Sequence, residues 1–377
     1  MSVYLDYNAT AKVRPEAAAA VAHALEMGGN PSSVHAAGRA ARGLVETARA
    51  EVGRLVGAGA GAQIVFASGG TEADALAMGS AIADGAERIL LGATEHDAVV
   101  ETAKASGLPV ETWPVDNRGV ADLDWLGERL PGGPRALVCL MLANNETGVI
   151  QPVAEAAALT RAAGAWLHVD AVQAAGKVAV DIEALGAHTL AVSAHKLGGP
   201  QGVGALIAVA DARLSPRQHG GGQEKGVRGG TQNTPGIAGF GAAASAALAE
   251  LSDFARQSAW RDGLSARLAA EGATIVGEGA PRLPQTLCFA QRGFSSDLQV
   301  MGLDLAGVMV SAGAACSSGK VKASRVAEAM GLSDLAPCVV RVSGGWATTA
   351  SDWTRCGEAW LDSLARHRAR AGAPALA

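Results

Sequence analysis

No apolar run in the 377 residues is long enough to cross a bilayer as a helix. Basic tracts are also missing. Acidic residues outnumber basic ones, 36 to 31, and the formal charge is −5. A chain without a cationic patch has nothing to neutralise a phosphate backbone, so nucleic acid is not an expected partner. The opening stretch MSVYLDYNAT has neither a charged start nor an apolar core, so no signal peptide is expected. Cysteine is scarce: Cys139, Cys288, Cys316, Cys338 and Cys356 are odd in number and far apart. That pattern excludes a disulfide framework, a CxxC metal site and an iron–sulfur cluster motif. It fits a reducing, cytoplasmic location. Internal repeats and low-complexity linkers are absent. Aromatics make up only 4%, so the core must be built mainly from Ala, Val, Leu and Ile.

What is present is apolar and periodic. Hydrophobic residues form 49% of the chain, and its 49 glycines exceed the share of about 7% usual in proteins. Helical periodicity covers 15–27 and 36–56. QIVFAS (63–68) reads as a strand that stops at a glycine turn and feeds a helix, GGTEADALAMGSAIA. The alternation repeats, with strands at 87–93, 109–113, 135–142, 166–171, 189–194 and 204–209 and helices at 96–106, 122–130 and 153–163. Strands that alternate with helices predict βαβ units and a mostly parallel sheet with helices on both faces. An unbroken apolar run such as RALVCLML predicts burial on both faces. After about residue 215 a glycine-rich loop (219–233) leads into a long Ala-rich helical stretch, 236–270. Short strands at 286–290 and 339–343 then predict a smaller α/β domain. The expected division is a large domain over 15–255, and a small one formed by 1–14 with 256–377.

In an open α/β sheet, ligands bind at the carboxyl ends of the strands. The first predicted strand ends in Gly69-Gly70-Thr71, where backbone N–H groups and a hydroxyl at a helix start suit a phosphate. A glycine turn before a helix is also ordinary punctuation. TEHDA places His96 at a helix start, where capping alone would explain it. RALVCLML runs into Asn144-Asn145-Glu146, which either binds something or satisfies itself as a polar turn. WLHVDAVQ delivers Asp170 and Gln173; a carboxylate there needs a cation or a donor, and capping a helix would serve equally. SAHKLGG delivers Ser193, His195 and Lys196. A lysine drawn into a cleft is disfavoured unless it does something, and a desolvated lysine can form a Schiff base. A phosphate cradle, a buried aspartate and such a lysine on successive strand ends are the parts of a pyridoxal 5'-phosphate (PLP) site. Asp170 would hold the pyridinium nitrogen and His96 would stack on the ring. Asn145 and Gln173 would hydrogen-bond around it, and Gly70, Thr71, Ser193 and His195 would hold the phosphate. No metal ligand set is expected.

LDYNATAKVRPE, GNPSSVHAAGRAAR, FASGGTEADALAM, TEHDAV, NNETGVIQP, HVDAVQAAGK, SAHKLGGPQGVGAL, HGGGQEKGVRGGTQN and SAGAACSSGK together resemble the cysteine desulfurases. These are fold-type-I PLP enzymes of aminotransferase class V, and the resemblance runs from residue 5 to about 350. It implies that Lys196 links to the cofactor and takes the substrate Cα proton. It assigns Thr231 to the phosphate of a neighbouring subunit, hence a homodimer. Asn30, Asn145 and Arg341 go to the substrate, and Cys316 becomes the sulfur acceptor. The product would be L-alanine and a persulfide on Cys316, delivered to an acceptor or scaffold protein for iron–sulfur cluster or other thio-cofactor assembly. The small residues around Cys316 predict a segment that packs little and can move. Three stretches depart from the family pattern: RVSGGWATT with Trp346, a glycine in SGGTE, and Lys320 and Lys322 after the acceptor cysteine. Selenocysteine lyase or cysteine-sulfinate desulfinase chemistry, class V amino transfer to a small amino acid, and a non-catalytic scaffold are the competing readings.

Overall fold

A computed structural model describes residues 2–313 and 323–371. Its strands, in chain order, are β1 (Val3–Tyr4), β2 (Gln63–Ala67), β3 (Arg88–Gly92), β4 (Val110–Trp113), β5 (Ala136–Cys139), β6 (Trp166–Asp170), β7 (Thr189–Ser193), β8 (Gly204–Ala208), β9 (Thr274–Ile275), β10 (Thr286–Ala290), β11 (Val308–Met309), β12 (Ser311–Ala312) and β13 (Val339–Ser343). A seven-stranded sheet runs β2-β8-β7-β6-β5-β3-β4. Only β8 opposes the others, pairing antiparallel with both β2 and β7. The architecture is therefore the expected mainly parallel α/β sheet of fold type I.

Alternation along the strands sorts the two faces, because successive side chains point to opposite sides. Leu90, Val138, Leu167, Val169, Leu190 and Val192 share a core with Val45 and Ala48 of the helix Ala36–Leu55 and with Ile237 and Phe240 of the helix Thr234–Ala249. Their neighbours Ile89, Leu91, Leu137, Cys139 and Trp166 pack on the opposite side with Met78 of the helix Gly70–Ala83 and Val99 of the helix Asp97–Ala105. The central strands β5, β6, β7 and β8 are buried along their whole length. RALVCLML extends further than β5 alone: Leu140 and Leu142 still donate to His168 O and Asp170 O at 3.1 and 2.8 Å. Four tryptophans, Trp113, Trp166, Trp353 and Trp360, are among the largest fully buried side chains. The few aromatics are thus concentrated inside, where each removes a large apolar area from water.

A second, four-stranded antiparallel sheet runs β12-β13-β10-β9. It packs with the helices Gln257–Ala270, Ser296–Leu305 and Ala350–Ala371 around Leu264, Leu303, Trp353 and Trp360. The N-terminal residues join this layer. β1 lies parallel to β11, and Asp6 bridges to Ser343. The chain then crosses to the central sheet, where Ala11 N donates to His195 O and Arg14 N to Gly198 O, both at 2.8 Å.

The stretch 236–270 is not one helix, contrary to its composition. It breaks into Thr234–Ala249, Leu251–Phe254 and Gln257–Ala270. The first piece packs on the helices Pro15–Met27 and Ala36–Leu55, and the last on the C-terminal helix Ala350–Ala371. A straight rod could not serve both cores. At the break, Glu250 pairs with the buried Arg14 at 2.8 Å. Among the described residues no helix is long and apolar enough to cross a membrane.

Candidate active site

One cavity of about 290 Å³ opens at the carboxyl ends of the central strands. Its walls collect residues from separate strand ends: Gly70 and Thr71 after β2, His96 after β3, Asn145 after β5, Asp170 and Gln173 at β6, and Ser193, His195 and Lys196 at β7. Asn8, Ala9, Asp74, Met141 and Val172 complete the lining. The topology explains the convergence, since parallel strands deliver all their carboxyl ends to one edge.

The glycine turn after β2 has a steric reason. A Cβ on Gly70 would come 2.8 Å from Val172 Cγ2, so bare backbone is needed where the helix Gly70–Ala83 starts. A Cβ on Gly204 of β8 would come 2.7 Å from the carbonyl carbon of Gly69, so a glycine on the next strand makes room for the turn. The helix N-terminus and the Thr71 and Ser193 side chains thus border the cavity together, a set of donors suited to an anion. His195 Nδ1 lies 2.7 Å from Thr10 Oγ1. Burial, then the nearby Lys196 and Lys177, push its pKa down to about 4, so the ring is neutral. If Thr10 donates to Nδ1, the His195 proton sits on Nε2 and is available to an acceptor. His96 both caps and lines: its Nδ1 accepts from Ala98 N at 3.1 Å, and the ring borders the cavity.

Lys196 Nζ donates to the carbonyl oxygens of Asn8, at 2.5 Å, and Ala9, at 2.8 Å. Gln173 Nε2 donates to the same Asn8 oxygen at 2.9 Å, and Lys177 Nζ donates to Gln173 Oε1 at 2.7 Å. Lys177 is buried, and desolvation, then the like charges of Lys196 and Arg341, lowers its pKa well below that of an ordinary lysine.

Acids gather at the cavity wall and behind it. Asp170 Oδ1 accepts from Val172 N at 2.8 Å. Asp74 is fully buried and lies 3.1 Å from His168 Nε2, while His168 Nδ1 lies 3.0 Å from Thr189 Oγ1. Burial and then Asp170 push the Asp74 carboxyl well up, and burial holds His168 down at about 4. Both shifts disfavour a charged pair. Glu95 is buried as well; one oxygen accepts from Met141 N and the other has no partner among the described residues. Burial, then Asp170, pushes its pKa up to about 8.

Three expected site residues among those described lie elsewhere. Asn30 is exposed in a turn and accepts from Ser32 N. Thr231 is exposed and borders a separate cavity of about 190 Å³ beside Phe66, Ser68 and Gly202. Arg341 is 1% exposed and does not line the cavity; it donates to Asp6 Oδ1 at 2.8 Å and to Asn145 O at 3.0 Å, and its Nε has no partner among the described residues. Cys316 lies outside the described residues. The other cysteines are all buried, and burial pushes the thiols of Cys139, Cys288 and Cys356 up, which makes them poor nucleophiles. Sequence reasoning missed Asn8, Ala9, Asp74, Met141 and Val172. All five sit inside stretches it singled out, but Ala9, Met141 and Val172 carry no chemical signal of their own.

Among the described residues no group of His, Cys, Asp and Glu could hold a metal ion. The donor set fits PLP instead: anion donors at one end of the cavity, a carboxylate at Asp170, an imidazole at His96 and an amine at Lys196. A family model for aminotransferase class-V matches residues 3–355. A "Cysteine desulfurase" of Cereibacter sphaeroides is 43% identical over 338 residues, covering 87% of this chain and 86% of its own length. A "Cysteine desulfurase IscS" of Dictyoglomus turgidum is 36% identical over 361 residues, covering 93% and 91%. The solved structure of a NifS-like protein from Rickettsia africae superposes with a TM-score of 0.89 at 32% identity, covering 97% of this chain and 100% of that one.

Proposed function

The chain belongs to the aminotransferase class-V family and, within it, to the cysteine desulfurases, and from that premise we propose how its residues divide the work. The observation that carries the reading is the single cavity in which Lys196, Asp170, His96, Gln173 and the Gly70–Thr71 turn meet. PLP, when bound, supplies an electron sink for the carbanion formed at the substrate Cα. Gly70 N–H, Thr71, Ser193 and His195 would hold its phosphate, and Asp170 its ring nitrogen. His96 would pack on its ring, and Gln173 and Asn145 would hydrogen-bond around it.

Lys196 anchors the cofactor and then carries the Cα proton of L-cysteine. Its amine is already steered by the Asn8 and Ala9 oxygens. The Cys316 thiolate attacks the substrate sulfur: the Cβ–S bond breaks, an S–S bond forms, and the carbon skeleton leaves as L-alanine after reprotonation. Arg341 orients the substrate carboxylate, with Asn30 and Asn145 nearby; its orphaned Nε and its bond to the Asn145 backbone support that assignment.

Exposed Thr231 is read as a contribution to the phosphate site of a second copy, which makes the working unit a homodimer. The exposed apolar side chains Val13, Leu25 and Val34 near the N-terminus are compatible with a partner there. Residues 15–255 are taken as the PLP-binding domain, and 1–14 with 256–377 as the domain carrying the acceptor segment. The persulfide would pass to an acceptor or scaffold protein in the cytoplasm.

The test is release of alanine and sulfide from L-cysteine by the PLP-loaded protein. Lys196→Ala should abolish both. Cys316→Ala should abolish release from cysteine while leaving the visible cofactor band intact. Full activity of Cys316→Ala on cysteine would instead favour sulfinate or selenocysteine chemistry.

A further inference from the structure

Lys177 closes the motif HVDAVQAAGK, yet none of the roles above uses it. It is buried, and among the described residues it has no ion pair; its Nζ hydrogen-bonds to Gln173 Oε1 at 2.7 Å. A buried lysine without a carboxylate is costly, and a hydrophobic residue would serve packing better.

The hydrogen-bond pattern allows one arrangement only. The Asn8 carbonyl is an acceptor, so the group facing it must be the Gln173 nitrogen, at 2.9 Å. The Gln173 oxygen then points the other way, into a buried setting where it needs a donor. Lys177 is that donor. With the donor removed, the carboxamide could rotate or flip, and the N–H facing Asn8 would no longer be fixed.

We propose that Lys177 is a positioning residue: by donating to Gln173 Oε1 it holds the carboxamide with its nitrogen toward Asn8 and the cavity. Gln173 is thereby fixed as a donor toward the oxygen substituent of the bound pyridine ring. Because Asn8 O also accepts from Lys196, the same tether bears on the catalytic amine. The inference rests on the reading of the cavity as a PLP site.

The test compares PLP-loaded wild type, Lys177→Met, Gln173→Leu and the double variant. The readout is the pH midpoint at which the visible cofactor band changes. Lys177→Met should move that midpoint by about half a pH unit or more when Gln173 is present, and by less than about 0.2 when it is leucine, because the two side chains act as one unit. An equal shift in both backgrounds would mean that Lys177 acts directly as a charge beside Lys196, and would overturn the proposal. No shift in either background would leave Lys177 a structural residue, and would also overturn it. If Lys177→Met does not fold, Lys177→Leu removes the donor without adding bulk. Failure of both to fold while Gln173→Leu folds would likewise contradict the proposal, because Lys177 would then be holding more than one amide. Absence of the visible band in the wild type would count against the PLP reading, not against this one.

Discussion

The Nζ of Lys196 lies 2.5 Å from the carbonyl oxygen of Asn8, although 188 residues separate the two in sequence. The N-terminal segment therefore forms a wall of the cavity. Asn8 is pinned from several sides: its N donates to Ser343 Oγ at 3.0 Å, and its Nδ2 donates to Thr286 Oγ1 at 2.9 Å and to Asn145 O at 3.2 Å. Ser343 and Thr286 belong to the antiparallel sheet, so this residue couples that layer to Lys196.

Asn8→Ala keeps the carbonyl but removes the side-chain anchors. Each lost buried hydrogen bond costs about 1 kcal/mol, and a loosened carbonyl holds the amine less well. Stability should fall by about 1–3 kcal/mol, and kcat on L-cysteine by roughly tenfold. Steady-state kinetics and denaturant melts check both; unchanged kcat would deny the coupling.

Glu95 gives a pH signature. Its folded pKa of about 8 lies above the ordinary carboxyl value of 4.5. A raised carboxyl favours folding below the unfolded value and loses that contribution as pH rises through the folded one. Glu95→Gln keeps the acceptor for Met141 N and cannot ionise. Its thermal stability relative to wild type should therefore improve steadily from about pH 4.5 to about pH 8 and level off above. Melting temperatures across that range test it; a constant difference would contradict it.

Glu146 reaches both stems of the segment that holds Cys316. Its Oε2 accepts from Ser324 Oγ at 2.6 Å on one side, and a Cβ on Gly313 would lie 3.0 Å from it on the other. Burial pushes its pKa up to about 7, partly offset by the Ser324 hydrogen bond and Arg341. Glu146→Ala should slow persulfide formation by severalfold while PLP binding is retained. Single-turnover persulfide trapping beside the visible cofactor spectrum separates the two, and equal losses in both would reject a role confined to the segment.

The central sheet and the edge that carries the cavity were legible in the sequence because chemistry and pattern coincide there. Lys196, His195 and Ser193 follow an apolar strand directly, as do Asp170 and Gln173, so period and residue type point to one place. Asn8 was not legible as a wall because it acts through its backbone oxygen, which any residue could supply. Asp74 sits on a helix whose buried face hid it among alanines and leucines. The bend at 250–256 went unseen because an Ala-rich stretch has helical propensity throughout, and only the need to serve two cores breaks it. Arg341 was expected at the substrate, and its contact with Asp6 depends on a crossing between chain ends that no local pattern encodes.

The most direct test of the account is a single turnover of PLP-loaded protein with L-cysteine and no reductant, followed by peptide mass analysis and alanine quantification. The account predicts one added sulfur atom on the peptide containing Cys316, one equivalent of alanine, and neither in Lys196→Ala. Alanine released with Cys316 unmodified, or the added sulfur found on another cysteine, would contradict it.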